Sequence, residues 1–157
     1  MKKSLLPLIP VALSLLGACG APSKDASPKA PDVEATAPGS SVPLEGTEWL
    51  LVDLGGKPAI AGVGTRKASL SFTGDSGSLR GNSGLNSFFG PYALDGSKLR
   101  IENLAMTRMA GPPELMEQEG AFVATLCVAR SWRVEGDVLV LVDEKGATLA
   151  TLRAGGP

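Results

Sequence analysis

Between residues 44 and 154, glycine-rich turn sequences recur at short intervals and divide the chain into short apolar segments. Glycine and aspartate at such positions favour tight reversals between neighbouring antiparallel strands. The segments between them are short and rich in aliphatic, β-branched and aromatic residues, as strands are. The turns are Gly55-Gly56-Lys57-Pro58, Gly74-Asp75-Ser76-Gly77, Asp95-Gly96-Ser97, Gly136-Asp137 and Asp143-Glu144-Lys145-Gly146.

The segments between these turns predict about eight strands. Apolar and small polar residues alternate over 68–73, so one face of that strand is expected to be buried. Residues 138–142 are apolar at every position, which predicts a strand covered on both faces. The predicted strands are 47–52, 68–73, 78–81, 86–94, 98–103, 131–135, 138–142 and 147–152.

One segment departs from this pattern and predicts a helix that begins at Pro112 and Pro113, where proline costs no hydrogen bond. Arg130 near its end complements the negative pole of the helix dipole. The apolar residues at helical spacing are Leu115, Phe122, Val123 and Leu126. The predicted fold is therefore α+β: a mostly antiparallel sheet curled into a partial barrel, with one covering helix.

The first residues have the features of a secretory signal. Met1-Lys2-Lys3 precedes an apolar run, Leu5 to Leu16, that is too short to remain as a membrane-spanning helix. Residues 1–18 are therefore predicted to be a signal peptide. This signal peptide either precedes a lipidated cysteine or is an ordinary signal peptide followed by a stray cysteine.

Leu16-Gly17-Ala18-Cys19 resembles the lipobox of bacterial lipoproteins. The resemblance implies that the chain is cut before Cys19, that the Cys19 thiol carries a diacylglyceryl group, and that the new amine is acylated, commonly with palmitate. Two or three acyl chains suffice for stable attachment to a membrane. Gly20 resembles the sorting residue of lipoproteins sent to the outer membrane, so we expect a lipid-anchored cell-envelope protein that faces the periplasm.

Residues 20–43 contain five of the 12 prolines and no aromatic residue. Such a composition cannot bury enough apolar surface to offset ordering, which predicts a disordered tether after the lipidated Cys19. A coil of this length separates its ends by roughly 25–30 Å. The sequence thus predicts one domain, residues 44–154, held close to a membrane.

The composition argues against several functions. The chain has no histidine, which removes the commonest general base and metal ligand, and we expect no catalytic group, metal or cofactor. Its net charge is −1 with no basic stripe, so nucleic acid is not an expected partner.

No single residue or group of residues is a strong candidate for catalysis or metal binding. Ser83 lies between glycines but lacks a histidine partner and the spacing of a nucleophile elbow. Glu114, Glu117 and Glu119 point different ways around the predicted helix, which argues against a shared metal ion. Asp143-Glu144 is predicted to be a hairpin turn and not a general-acid pair.

Cys127 lies four residues after Val123, at the edge of the predicted apolar stripe. If Cys19 carries lipid, Cys127 has no disulfide partner within the chain. Burial tendency predicts a small core residue, and a reactive thiol or an intermolecular disulfide is the alternative.

Five motifs in order resemble the META domain family, which includes HslJ-like proteins. They are Leu44-Glu45-Gly46-Thr47-Glu48-Trp49, the segment from Gly81-Asn82-Ser83-Gly84-Leu85-Asn86 to Tyr92, Leu104-Ala105-Met106-Thr107-Arg108-Met109-Ala110, the helix 114–124 and Gly136-Asp137-Val138-Leu139-Val140-Leu141. Leu85 and Gly111 stand where the family often has cysteines, so no redox pair is expected here.

The resemblance implies strands arranged around a helix, a cell-envelope setting and a part in stress tolerance, and it implies no activity. Its recurrent residues have structural interpretations. Gly81, Gly84 and Gly90 are expected to allow tight turns or close backbone approach, and Asn86 is expected to bond backbone from a turn. Thr107 and Arg108 either bind a ligand or satisfy loop carbonyls and neighbouring carboxylates.

These observations favour a non-catalytic envelope module that binds a protein, a peptide or a small ligand. An exposed cluster among Trp49, Phe88, Phe89, Tyr92 and Trp132 would mark a contact surface. The first alternative is a hydrolase that uses two carboxylates facing one cleft. The second is an inhibitor-type β-barrel lipoprotein with a protruding loop at Asn103 to Gly111.

Overall fold

The computed structural model describes residues 41–156, which form part of one compact unit. The predicted signal peptide, Cys19 and most of the predicted tether lie outside the described residues. Residues 41–156 form ten strands and one α-helix. They are β1 Glu48–Leu54, β2 Lys57–Pro58, β3 Ser69–Thr73, β4 Ser78–Asn82, β5 Ser87–Asp95, β6 Lys98–Ile101, β7 Ala105–Met106, α1 Pro113–Val128, β8 Ser131–Glu135, β9 Val138–Val142 and β10 Thr148–Ala154.

All ten strands of residues 41–156 pair antiparallel in one sheet. Nine follow the order β10-β9-β8-β6-β5-β4-β3-β1-β2, and β7 pairs with β5. Since β10 also pairs with β1, the sheet closes on itself and is ring-like. The ring is not a true barrel, because β6 and β8 pair only at Lys98 and Ser131. Helix α1 packs against β6 beside this weak join. The predicted α+β fold with one covering helix is therefore confirmed.

The core lies inside the ring and is completed by α1. Phe122 of the helix meets Phe88 of β5 edge to face, with ring centroids 5.7 Å apart. The predicted helical stripe is buried at Leu115, Phe122 and Leu126, whereas Val123 is only half-buried. As expected for a strand covered on both faces, β9 is buried at every position except its first.

The prediction that Cys127 belongs to the core is wrong, because its side chain is exposed. The buried face of α1 runs through Leu115, Gln118, Phe122 and Leu126. Cys127 is one residue beyond this row and so is rotated about 100° away from it. The sequence pattern included Val123 in the apolar stripe, and this placed the edge of the buried face too close to Cys127.

The three motif glycines have the predicted structural roles. A Cβ on Gly81 would clash with Cζ of Phe88 and with the carbonyl oxygen of Ser69. At Gly90 the nearest atom would be Cδ2 of Leu104, at 2.9 Å. Gly84 has a φ of +93°, which an L side chain rarely adopts.

Within residues 41–156, no helix has the length and apolarity needed to cross a membrane.

Candidate functional site

Three loops lie side by side at one end of the ring: residues 59–67, 83–86 and 107–111. The Val63 N–H donates to the carbonyl of Gly84 over 2.9 Å, which joins the first loop to the second. On the other side of the second loop, Leu85 packs so closely on Gly111 that a Cβ there would lie 2.7 Å from the leucine Cδ1. We call these three loops the loop end.

Asn86 is the centre of a buried polar network that holds the loop end together. Its side-chain amide donates to the carbonyl of Met109 at 3.0 Å and to Oε1 of Glu119 at 3.1 Å. Its Oδ1 accepts from the Met109 N–H at 2.8 Å and from Oγ1 of Thr107 at 2.9 Å. These four bonds use the whole hydrogen-bonding capacity of an asparagine side chain. Asn86 thus bonds backbone, as predicted, but that of a distant loop.

Ser83 belongs to the same network. Its Oγ donates to Oε2 of Glu119 over 2.5 Å and accepts the Asn86 N–H over 2.9 Å. A serine beside a carboxylate has the composition of a nucleophile and its base. Ser83 is fully buried, however, so its hydroxyl has no open face for a substrate.

Gln118, which precedes Glu119 on α1, binds the loop 59–67. Gln118 accepts the Ile60 N–H at 2.7 Å and donates to the Ile60 carbonyl at 3.3 Å. Two consecutive helix residues thus fix two loops to one helix. Sequence reasoning missed Gln118, although a polar residue at helical spacing between Leu115 and Phe122 was a usable signal.

The two residues predicted as ligand candidates differ in their surroundings. Thr107 Oγ1 donates to Oδ1 of Asn86 and accepts the N–H of Ser87 at 3.1 Å, so it bonds polar groups of the neighbouring loop and strand. Arg108 is exposed, and its guanidinium has no hydrogen-bond or ion-pair partner among residues 41–156.

Around this network the loop end presents apolar and cationic side chains outward. Ile60, Val63 and Met109 are 40 %, 51 % and 50 % exposed. Exposed cations accompany them at Arg66, Lys67 and Arg108. None of the three loops contains an acidic residue. The outward surface is thus both apolar and positive.

The aromatic residues do not form the exposed cluster that would have marked a contact surface. Trp49, Phe88 and Tyr92 are buried and Trp132 is half-buried. Phe89 alone of the five is exposed, at 64 %, beside a shallow trough on the outer sheet face.

A larger open groove, of about 940 Å³, lies between β6, the end of α1 and the β9–β10 turn. Its charged groups are largely engaged with one another or with backbone. Lys98 pairs with Asp95 at 3.5 Å, Arg100 pairs with Glu102, and Asp143 Oδ1 accepts two backbone N–H groups of its own turn. Asp143 and Glu144 occupy a turn, as predicted.

The three helix glutamates do not converge. Glu114 and Glu117 are exposed, whereas Glu119 turns towards Ser83 and Asn86. Among residues 41–156, no group of three or more cysteine, aspartate or glutamate side chains has the placement needed to hold a metal ion.

Tyr92 ties the start of the domain to the ring. Its hydroxyl donates to Oε1 of Glu45 over 2.6 Å. Burial raises the pKa of the Tyr92 phenol well above its ordinary value, and the hydrogen bond and negative charge of Glu45 raise it further. The phenol is therefore a neutral structural donor.

The sequence profile of the META domain matches residues 42–156. The fold is similar to that of a protein from Burkholderia xenovorans solved by NMR, at 29 % identity and a TM-score of 0.58, covering 83 % of this chain and 99 % of that one. A DUF4847 family protein from Bacteroides vulgatus shares the fold at 19 % identity and a TM-score of 0.53, covering 70 % of this chain and 93 % of that one. No curated protein sequence matches the chain.

Proposed function

This chain belongs to the META domain family, and we propose that it is a membrane-anchored lipoprotein of the bacterial cell envelope whose META domain is a non-catalytic binding module. In this proposal the lipid on Cys19 holds the domain at the outer membrane, facing the periplasm. The loop end is its contact surface.

The proposal rests on one observation: the polar groups beneath the loop end that could take part in catalysis bond to one another, while apolar and cationic groups of the loop end face outward. Ser83, Asn86 and Glu119 are joined by hydrogen bonds inside the protein. A catalytic site needs such groups to face a substrate. A contact surface needs exposed apolar and charged groups on a rigid support.

The anchor is supported by the sequence before the domain. Leu16-Gly17-Ala18-Cys19 resembles a lipobox, and a proline-rich segment separates Cys19 from the domain. A lipid anchor followed by a spacer would keep the domain within reach of the membrane at high local concentration.

The two cysteines offer a matched test of the anchor. We expect Cys19→Ala to lose incorporation of an alkyne-labelled fatty acid and to leave the membrane fraction, because the acylated thiol is gone. Cys127→Ala removes the same group from an exposed helix position and is expected to keep both properties. Retention of label and membrane attachment by Cys19→Ala would contradict the proposal.

A further inference from the structure

We infer that the loop end docks on the surface of an anionic phospholipid bilayer. The membrane that holds the lipid anchor is then also the partner that the contact surface binds. The inference rests on the proposed function, since an anchor on Cys19 places the domain beside that bilayer. Three properties of the loop end support this occupant: its apolar side chains, its charge and its rigidity.

The apolar side chains suit the boundary between headgroups and acyl chains. Ile60, Val63 and Met109 are each 40 % or more exposed and lie on adjoining loops. Aliphatic side chains on a membrane-facing surface insert shallowly at that boundary. The three loops contain no aromatic residue of the kind that anchors protein–protein contacts in pockets.

The charge of the loop end is complementary to acidic headgroups. Arg66, Lys67 and Arg108 are exposed among loops without an acidic residue, although the chain as a whole has a net charge of −1. Of the acidic side chains on the adjoining helix α1, Glu119 is bonded inward to Ser83 and Asn86, whereas Glu114 and Glu117 are exposed. Basic residues near a membrane are attracted by its anionic lipids.

The loop end is also fixed before it meets a partner. Gln118 pairs with both backbone groups of Ile60, and Asn86 pairs with both backbone groups of Met109. The exposed side chains of these residues therefore project from ordered backbone. Little loop ordering remains to oppose docking.

The test uses the mature chain from position 19, with Cys19→Ser so that no lipid is attached, and vesicles of phosphatidylcholine with or without phosphatidylglycerol. We expect flotation with the phosphatidylglycerol vesicles and little with pure phosphatidylcholine. Adding Arg66→Gln, Lys67→Gln and Arg108→Gln together is expected to reduce binding more than about tenfold, since each cation near the surface contributes about a fivefold factor.

A control triple, Lys98→Gln, Arg100→Gln and Arg133→Gln, removes the same charge from exposed strand positions and is expected to leave most of the binding. Val63→Ser with Met109→Ser is expected to weaken binding, whereas Val52→Ser with Val128→Ser, which are similarly exposed, is not. Arg108→Lys keeps the charge and is expected to bind like the parent.

Equal flotation with both vesicle types, no flotation, or equal losses in the loop-end and control variants would overturn the inference. So would an acidic protein that competes with the vesicles and cross-links to the loop end in their place. Because the chain in this test carries no lipid, a negative result leaves the Cys19 anchor standing. That anchor falls only if Cys19→Ala stays acylated and membrane-bound.

Discussion

Glu119 accepts hydrogen bonds from two buried side chains, Ser83 and Asn86, so its removal would leave both donors without that partner. We expect Glu119→Ala to lower the free energy of unfolding by about 1–3 kcal/mol. Glu117→Ala makes the same change two residues away at an exposed position, and should alter stability by less than about 0.5 kcal/mol. Urea unfolding followed by tryptophan fluorescence measures both. Equal losses would mean that the network does not support the loop end.

Tyr92 is the single tyrosine of the chain, so ultraviolet titration of phenolate reports on it alone. Burial and Glu45 raise its pKa in the folded state above the ordinary value of 10.0. The stabilising effect of the neutral phenol is therefore complete below pH 10.0 and is lost as the pH rises through the folded pKa. We expect no phenolate signal near the ordinary pKa in the folded protein and a normal titration in denaturant. Ionisation of the folded protein at its ordinary value would contradict the structure.

Some residue roles were predictable because local geometry fixes them. Gly81 and Gly90 sit in strands where a side chain has no room. The exposure of Cys127 was not predictable, because one helical step decides whether a residue faces the core. The partnership of Glu119 with Ser83 joins positions 36 apart, which no local pattern reports.

Within the strands and the helix, two glycine-to-alanine substitutions are expected to change the free energy of unfolding in opposite directions. One glycine is closely packed in a strand and the other is an open position in the helix. Gly81→Ala would push a Cβ into Phe88 and the Ser69 carbonyl, and is expected to cost about 1–3 kcal/mol or more. Gly120→Ala lies in α1 with nothing within 4 Å, and is expected to stabilise by about 0.5–1 kcal/mol. Chemical unfolding of both variants checks the opposite signs. A neutral Gly81→Ala would contradict the close packing of β4 on β5.

The eight longer strands coincide closely with predicted segments, because the alternation of apolar and polar residues and the turn residues between them are signals that extend over only a few positions. Strands β2 and β7 have two residues each, too few for a periodic signal. Residues 102–103 were predicted as strand but lie outside β6, which ends at Ile101. There Asn103 adopts a φ of +51°, which ends extended pairing.

For the whole molecule, closure of the ring joins the two ends of the domain. Trp49 of β1 pairs with Ala154 of β10. Local sequence patterns cannot predict this pairing, because the two residues are separated by nearly the whole domain. The position of α1 beside the single β6–β8 pair also depends on how the strands close. The loop end is assembled by contacts between loops far apart in the sequence, such as the Val63–Gly84 hydrogen bond and the packing of Leu85 on Gly111. Its combined apolar and positive surface was therefore not predictable from any one motif.

Site-specific photo-cross-linking in intact envelopes tests most directly whether the loop end is the contact surface of an anchored module. A photoreactive residue would replace Met109 in one full-length chain and Val128, which is similarly exposed on α1, in another. We expect adducts, with phospholipid as the main product, from position 109 and far fewer from position 128. Equal adducts from both positions, or none from position 109, would contradict it.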